Sequence, residues 1–288
     1  MGRPPEHGGS LGAHDPFPAP ALNRPEPVLY LRTNTPRQMQ EELPVLLVDN
    51  SNTRTKFALA VGGQLNPAGE VRCLATRELT EGSVAGLLSG WRFGRVCISS
   101  VVKGSRSVLA SSFAGKPLRW VNAALGGAVF DGYAGAATLG ADRVANALAA
   151  AEYGRFPVVA VDMGTAVTFD VVDRGPRFLG GVIAPGRQMT ADALHAQTSL
   201  LPRLQAAGVS SRCIGRTTVE AMQAGVELSF EGMLRNTMRE IETELGERPF
   251  FIATGGDSRH AASRVRAFDA VDEHLTLRGI ALAAERPW

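Results

Sequence analysis

Residues 45–59 read VLLVDNSNTRTKFAL. An apolar run ends in Asp49, small polar side chains carry the chain round a bend, and Lys56 opens a second apolar run. The continuous run Val45–Asp49 predicts a buried strand, and the alternation over Thr55–Val61 predicts its hairpin partner. Residues 158–172, VVAVDMGTAVTFDVV, repeat the arrangement: buried strand, terminal Asp162, a turn of Gly and Thr, second strand. Two buried hairpins resemble each other for trivial reasons. The acid and threonine shared by both turns tilt the reading towards a duplicated architecture.

Further elements follow outward from these hairpins. GRVCISSVV (94–102) predicts another buried strand, and LGADRVANALAAAEYG (139–154) a helix, rich in alanine and closed by Gly154. FLGGVIAPG (178–186) predicts a third arm ending in a Pro-Gly turn, Thr218–Leu245 one or two helices, FFIATGG (250–256) a strand ending in glycines, and Leu275–Glu285 a closing helix. Residues 1–42 are rich in proline and glycine and lack a hydrophobic period, which predicts disorder. The expected organisation is therefore a disordered 1–42, a first domain over 43–154, and a second over 155–288. The last helix, about 275–286, is expected to pack back on the first.

The 288 residues are 44% hydrophobic and 20% charged with a formal net charge of +2, an ordinary globular mix. No basic stripe with interleaved aromatics points to nucleic acid. No apolar run reaches the ~18 residues of a membrane span. The three cysteines form no CxxC pair, which fits buried thiols in a reducing cytoplasm. The five histidines do not gather at zinc-ligand spacing.

A turn of small side chains exposes backbone N–H groups that, with Ser and Thr hydroxyls, cradle phosphate oxygens. A nearby lysine adds charge, and an aspartate at a strand end suits Mg²⁺, which prefers carboxylate, water and phosphate. Two such turns facing each other would grip a nucleoside triphosphate from both sides. For either turn alone, a plain Asx turn explains the residues as well. The phosphate loop GxxxxGK[ST], the dinucleotide fingerprint GxGxxG and the GxSxG elbow are all absent.

Six segments in order then resemble the type III pantothenate kinases, the Bvg accessory factor family of the actin/Hsp70/hexokinase-like superfamily. They are DxxNTxxK (Asp49, Asn52, Thr53, Lys56), LGADR (139–143), DxGTAxT (Asp162 to Thr168), GGxIxPG (180–186), TTxxAxQxG (217–225) and TGGD (254–257). The resemblance implies an α/β fold of two RNase-H-like domains with mixed sheets flanked by helices, and ATP-dependent phosphorylation of the primary hydroxyl of pantothenate. It implies ATP contacts from Asp49, Asn50, Ser51, Asn52, Thr53, Arg54, Thr55, Lys56, Thr165, Gly255 and Gly256. Asp49 would help hold Mg²⁺, and Asp162 a monovalent cation, K⁺ or NH₄⁺. Asp142 looks like the general base, and Tyr133, Gly140, Ala141, Asp142, Arg143 and Thr218 would line the pantothenate pocket, Thr218 across a homodimer interface. No nucleic acid or membrane partner is implied.

Residue types alone leave alternatives. Asp142 also suits a helix N-terminus through the macrodipole, Arg143 a surface or interface ion pair, and Tyr133 the core. The chain departs from the family where Ser51 replaces a usual glycine and Ala136 a usual proline. Ser51 would matter if the turn required positive φ or close approach to phosphate. A non-catalytic nucleotide-binding regulator on the same scaffold is the alternative function.

Overall fold

The computed structural model describes residues 43–66, 69–204 and 213–287. The chain divides into residues 1–31 and 32–288, and the described residues all fall in the second unit. The expectation for 1–42 therefore lies outside the described residues.

The opening hairpin forms as read. β1 (Val45–Asn50) is buried along its whole length and pairs antiparallel with β2 (Arg54–Val61). Two short strands, β3 (Gln64–Leu65) and β4 (Arg72–Ala75), both pair with β2. Helix α1 (Glu81–Leu87) starts at a capping box in which Thr80 and Ser83 exchange side-chain and backbone bonds. It leads to β5 (Arg95–Ser100), which pairs parallel with β1. Helix α2 (Arg106–Ser112) then connects to β6 (Leu118–Trp120), parallel to β5. The first sheet runs β3-β2-β1-β5-β6, with β4 beside β2.

Helix α3 (Ala141–Ala151) follows two short 3₁₀ segments and is almost wholly buried. The second sheet repeats the first. β7 (Val158–Met163) pairs antiparallel with β8 (Ala166–Val172), and β8 with β9 (Phe178–Pro185). The Pro-Gly end of β9 leads into helix α4 (Arg187–Ala196) instead of closing a hairpin. Helix α5 is a single 28-residue element, Thr218–Leu245, closed by Gly246 at φ 71°. β10 (Phe250–Thr254) pairs parallel with β7; α6 (Ser258–Arg264) and β11 (Ala270–Val271) complete the sheet, ordered β11-β10-β7-β8-β9. In both sheets the first strand is central, its hairpin lies on one side and two parallel strands on the other. That shared topology is the duplication the echo predicted.

Helix α7 (Leu275–Ala284) crosses α3, and both pack in one core with β1 and β5 residues Leu47 and Cys97. A side chain at Gly279 would collide with the backbone of Ala145, so the two helices touch along their backbones. The alanines of α3 read as helix propensity from sequence; their small size also permits this crossing. Among the cysteines only Cys97 is buried, and burial pushes its thiol up to about 12; Cys73 and Cys213 are exposed, against the expectation of three buried thiols. Among the described residues no helix is long and apolar enough to cross a membrane.

Candidate active site

The duplication places two aspartates at equivalent positions, each one residue from the end of a central strand. Asp49 lies opposite Lys56 and beside Ser99; Asp162 lies opposite Thr168 and beside Thr254. The two turns meet: the hydroxyls of Thr53 and Thr165 are hydrogen-bonded at 2.8 Å. This contact joins the sheets at the tips of their hairpins.

The first turn is closed from within. Ser51 donates from its backbone and its hydroxyl to the carbonyl of Arg54, at 3.1 and 2.9 Å. Ser51 is not among the described non-glycine residues with positive φ, so serine stands there without the strain that a glycine-only position would impose. Asn52, Thr53 and Arg54 are exposed, while Asn50 and Thr55 are buried. Asn50 donates to Thr55 Oγ1 at 2.8 Å and accepts from Ser100 Oγ at 2.7 Å; Thr76 Oγ1 donates to the Ser51 carbonyl at 2.7 Å. The side chains of Asn50 and Thr55 thus brace the turn from beneath. Lys56 lies 3.6 Å from Asp49 Oδ2.

Asp162 is oriented by a chain of bonds that the sequence did not suggest. Asn146 of α3 donates to Asp162 Oδ2 at 3.1 Å and accepts from Thr276 of α7 at 2.8 Å. On its other side Gly255, at φ 88°, presses so closely that a Cβ there would collide with Asp162 Oδ1 and Met163. Gly255 therefore answers both to a left-handed backbone and to lack of space. Gly256 beside it has open space around its Cα.

Asp142 sits in the first turn of α3, where its Oδ1 accepts from the backbone N–H of Arg143 at 2.8 Å. That contact is the helix-terminal role, and it leaves the second oxygen for other work. Gly140 is the residue before the helix and Ala141 its first residue. Arg143 is not a surface ion pair: its Nε donates to the fully buried Asp170 at 2.6 Å. Its guanidinium lies 5.6 Å from the Phe178 ring, and its Nη2 is buried without a hydrogen-bond partner. Tyr133 packs edge-on to that same Phe178 ring at 4.9 Å. Thr218 opens α5, is exposed, and makes no hydrogen bond to this cluster in the single chain.

Burial raises four carboxyls here. Asp49 goes to about 6, with Lys56 pulling it back and Asp162 and Asp142 pushing it further. Asp170 goes to about 7 despite Arg143. Asp142 and Asp162 are raised by burial first, and Asp142 additionally by the charge of Asp162. Asp49, Asp142 and Asp162 therefore share one electrostatic environment. Ser99 Oγ and Thr254 Oγ1, at matching positions beside Asp49 and Asp162, are buried hydroxyls without partners. Among the described residues no three His, Cys, Asp or Glu side chains converge to hold a metal alone. The donor set of separate carboxylates and hydroxyls suits hard cations that take their remaining ligands from water and phosphate. A hollow of about 330 Å³ lined by Gly63, Glu152 and Arg278 contains none of these residues.

Asn146, Asp170 and Thr276 were missed because each is polar within an apolar element, and no turn or motif marks it. Register was the available signal for Asp170, which points from β8 at the Arg143 it pairs with.

The sequence profile of the type III pantothenate kinases matches residues 45–240. The type III pantothenate kinase of Akkermansia muciniphila is 41% identical over 239 residues, 83% of this chain and 97% of that one. That of Methylacidiphilum infernorum is 33% identical over 243 residues, 84% of this chain and 88% of that one. Two solved structures share the fold at a TM-score of 0.52. One is a Baf family transcriptional activator from Campylobacter jejuni, at 20% identity over 83% of this chain and 97% of that one. The other is the ethanolamine utilization protein EutJ from Carboxydothermus hydrogenoformans, at 15% identity over 82% and 88%. The paired turns, the ordered motifs and relatives matched along nearly their whole length agree: this chain belongs to the type III pantothenate kinases.

Proposed function

We propose that the protein transfers the γ-phosphoryl group of ATP to the primary hydroxyl of pantothenate, giving 4′-phosphopantothenate and ADP in the first step of coenzyme A synthesis. The observation that carries this reading is the Thr53–Thr165 bond, which joins two phosphate-type turns, each following a strand that carries an aspartate near its end.

The substrate oxygen bonds to the γ-phosphorus while the bond from that phosphorus to the β-bridging oxygen breaks, and the hydroxyl proton passes to Asp142. Phosphoryl transfer has a loose transition state, so the protein's work is positioning and charge balance. Burial makes Asp142 a stronger proton acceptor than an exposed aspartate. Exposed Asn52, Thr53, Arg54 and Thr165 and partly exposed Lys56 serve the phosphates; Gly255 and Gly256 border the adenosine. Arg143, with one unpartnered donor, and Tyr133 face the pantothenate side, where Gly140 and Ala141 form the wall. Asp49 would hold Mg²⁺, which supplies neutralisation of phosphate charge, and Asp162 a monovalent cation, K⁺ or NH₄⁺. Thr218 reaches pantothenate from a second copy in a homodimer; the exposed apolar Val219 and Leu228 of α5 and Leu179 and Ile183 of β9 supply candidate interface surface. The two sheets correspond to lobes 43–154 and 155–288, with α7 returned to the first. We place the reaction in the cytoplasm, in keeping with a chain of this kinase family.

The test is ATP-dependent phosphorylation of pantothenate, with and without K⁺, comparing the native protein with Asp142→Asn. Native turnover that collapses in the variant supports the assignment. Native protein that binds ATP but turns nothing over favours the regulator.

A further inference from the structure

Among the described residues, one buried ionic cluster lies apart from Asp49, Asp142, Asp162 and Asp170. Arg187, the first residue of α4, is 6% exposed. Its Nε donates to Glu227 Oε2 of α5 at 3.1 Å, and its Nη2 lies 2.9 Å from the same oxygen. Its Nη1 donates to Asp257 Oδ1 at 3.2 Å, and its guanidinium lies 5.9 Å from the Phe230 ring. The other Glu227 oxygen meets His260 Nε2 of α6. Residues of α4, α5 and α6, with Asp257 just before α6, meet in one cluster.

A buried ion pair is weak evidence for stability, because desolvation offsets most of the attraction and apolar replacements often do as well. The question is what the cluster holds in place. Gly186, directly before Arg187, donates its N–H to the carbonyl of Thr165 at 3.0 Å. A Cβ on Gly186 would collide with the carbonyls of Gly164 and Thr165, so the start of α4 is pressed onto the second turn. Asp257 donates its N–H to Met163 at 3.1 Å, and Ser258 returns to the Gly255 carbonyl from its backbone at 3.2 Å and its hydroxyl at 2.8 Å. The two strips of backbone that flank Asp162 are thereby linked to one guanidinium. Residues 164–165 connect through the chain, and residues 255–257 through the Asp257 carboxylate.

We infer that Arg187 is a positioning residue for the nucleotide side of the site: it sets the spacing between the second turn and the Gly255–Asp257 loop, and Glu227 holds it there. The identity of the ligand rests on the kinase reading; the spacing device rests on the contacts above. Arg187 acts through the two strips of backbone.

Asp257→Asn is the discriminating variant. Its side chain is 31% exposed and can be neutralised while the Arg187–Glu227 pair stays intact. Equilibrium titration with a fluorescent ATP analogue, thermal unfolding, and the KM for pantothenate are measured on the full chain. Nucleotide affinity is expected to fall about tenfold, the order of what exchanging an ionic hydrogen bond for a neutral one costs. The melting temperature and the KM for pantothenate stay near native values. Arg187→Lys, which keeps charge but not the forked geometry, should fall between native and an Arg187→Met/Glu227→Gln double variant. Unchanged nucleotide affinity in Asp257→Asn, or equal weakening of both substrates, overturns the inference while leaving the kinase reading intact. Native protein that fails to bind the nucleotide overturns the kinase reading itself.

Discussion

Replacing Asp49 with asparagine should make the ligand-free protein more stable above pH 7 and abolish its chemistry. Asp49 is 6% exposed, and burial lifts its carboxyl from 3.8 to about 6. A group whose folded pKa lies above its unfolded value binds more protons in the native state between those two values. Stability therefore falls as pH rises from about 4 to about 6, and the loss persists above that window. Going from 3.8 to about 6 corresponds to about 3 kcal/mol. Part of that is offset in the variant, because Lys56 loses its partner at 3.6 Å; the lysine is 28% exposed, so that loss is of order 0–1 kcal/mol. The net expectation is a gain of about 2 kcal/mol at pH 8, or a rise of about 5 °C in melting temperature. The gain should vanish near pH 4, where the native carboxyl is protonated. The assay is thermal unfolding of native protein and variant from pH 4 to pH 8 in chelator, read as the difference between them so that other titrating groups cancel. Parallel pH profiles, or a variant less stable at pH 8, would refute the argument that this carboxylate is held against its own solvation.

Other expectations follow from the same geometry. Asp142→Asn should lower kcat by about 10²–10⁴ and change the KM values little, measured by steady-state kinetics. Asp170→Ala leaves the guanidinium of Arg143 without its counter-charge and should cost about 3–5 kcal/mol in denaturant unfolding. Gly255→Ala forces a side chain into Asp162 at φ 88° and should cost about 1–3 kcal/mol of stability, with weakened nucleotide binding by titration. Thr165→Val removes the bond between the turns, and nucleotide affinity should drop while the KM for pantothenate holds.

What residues 45–59 and 158–172 determined by themselves was the duplicated hairpin, because strand burial, turn chemistry and the terminal acid are all local. Helix α3 was equally legible from its alanines, while Thr218–Leu245 reads as one or two helices and forms one, since length alone does not show whether a helix is broken. The short strands β3, β4, β6 and β11 were not, because two to four residues carry no period and form only where a neighbour offers an edge. The site divides the same way. Asp49 and Asp162 are marked by their places near strand ends, whereas Asp142 is singled out only by the family resemblance. Which partner each one faces is decided by packing across long sequence separations. Arg143 turns to Asp170 instead of its neighbour Asp142, Asn146 reaches Asp162, and Arg187 draws α5 and the Gly255–Asp257 loop together. A buried charge must be matched by whatever the fold brings beside it, and that choice is made in three dimensions.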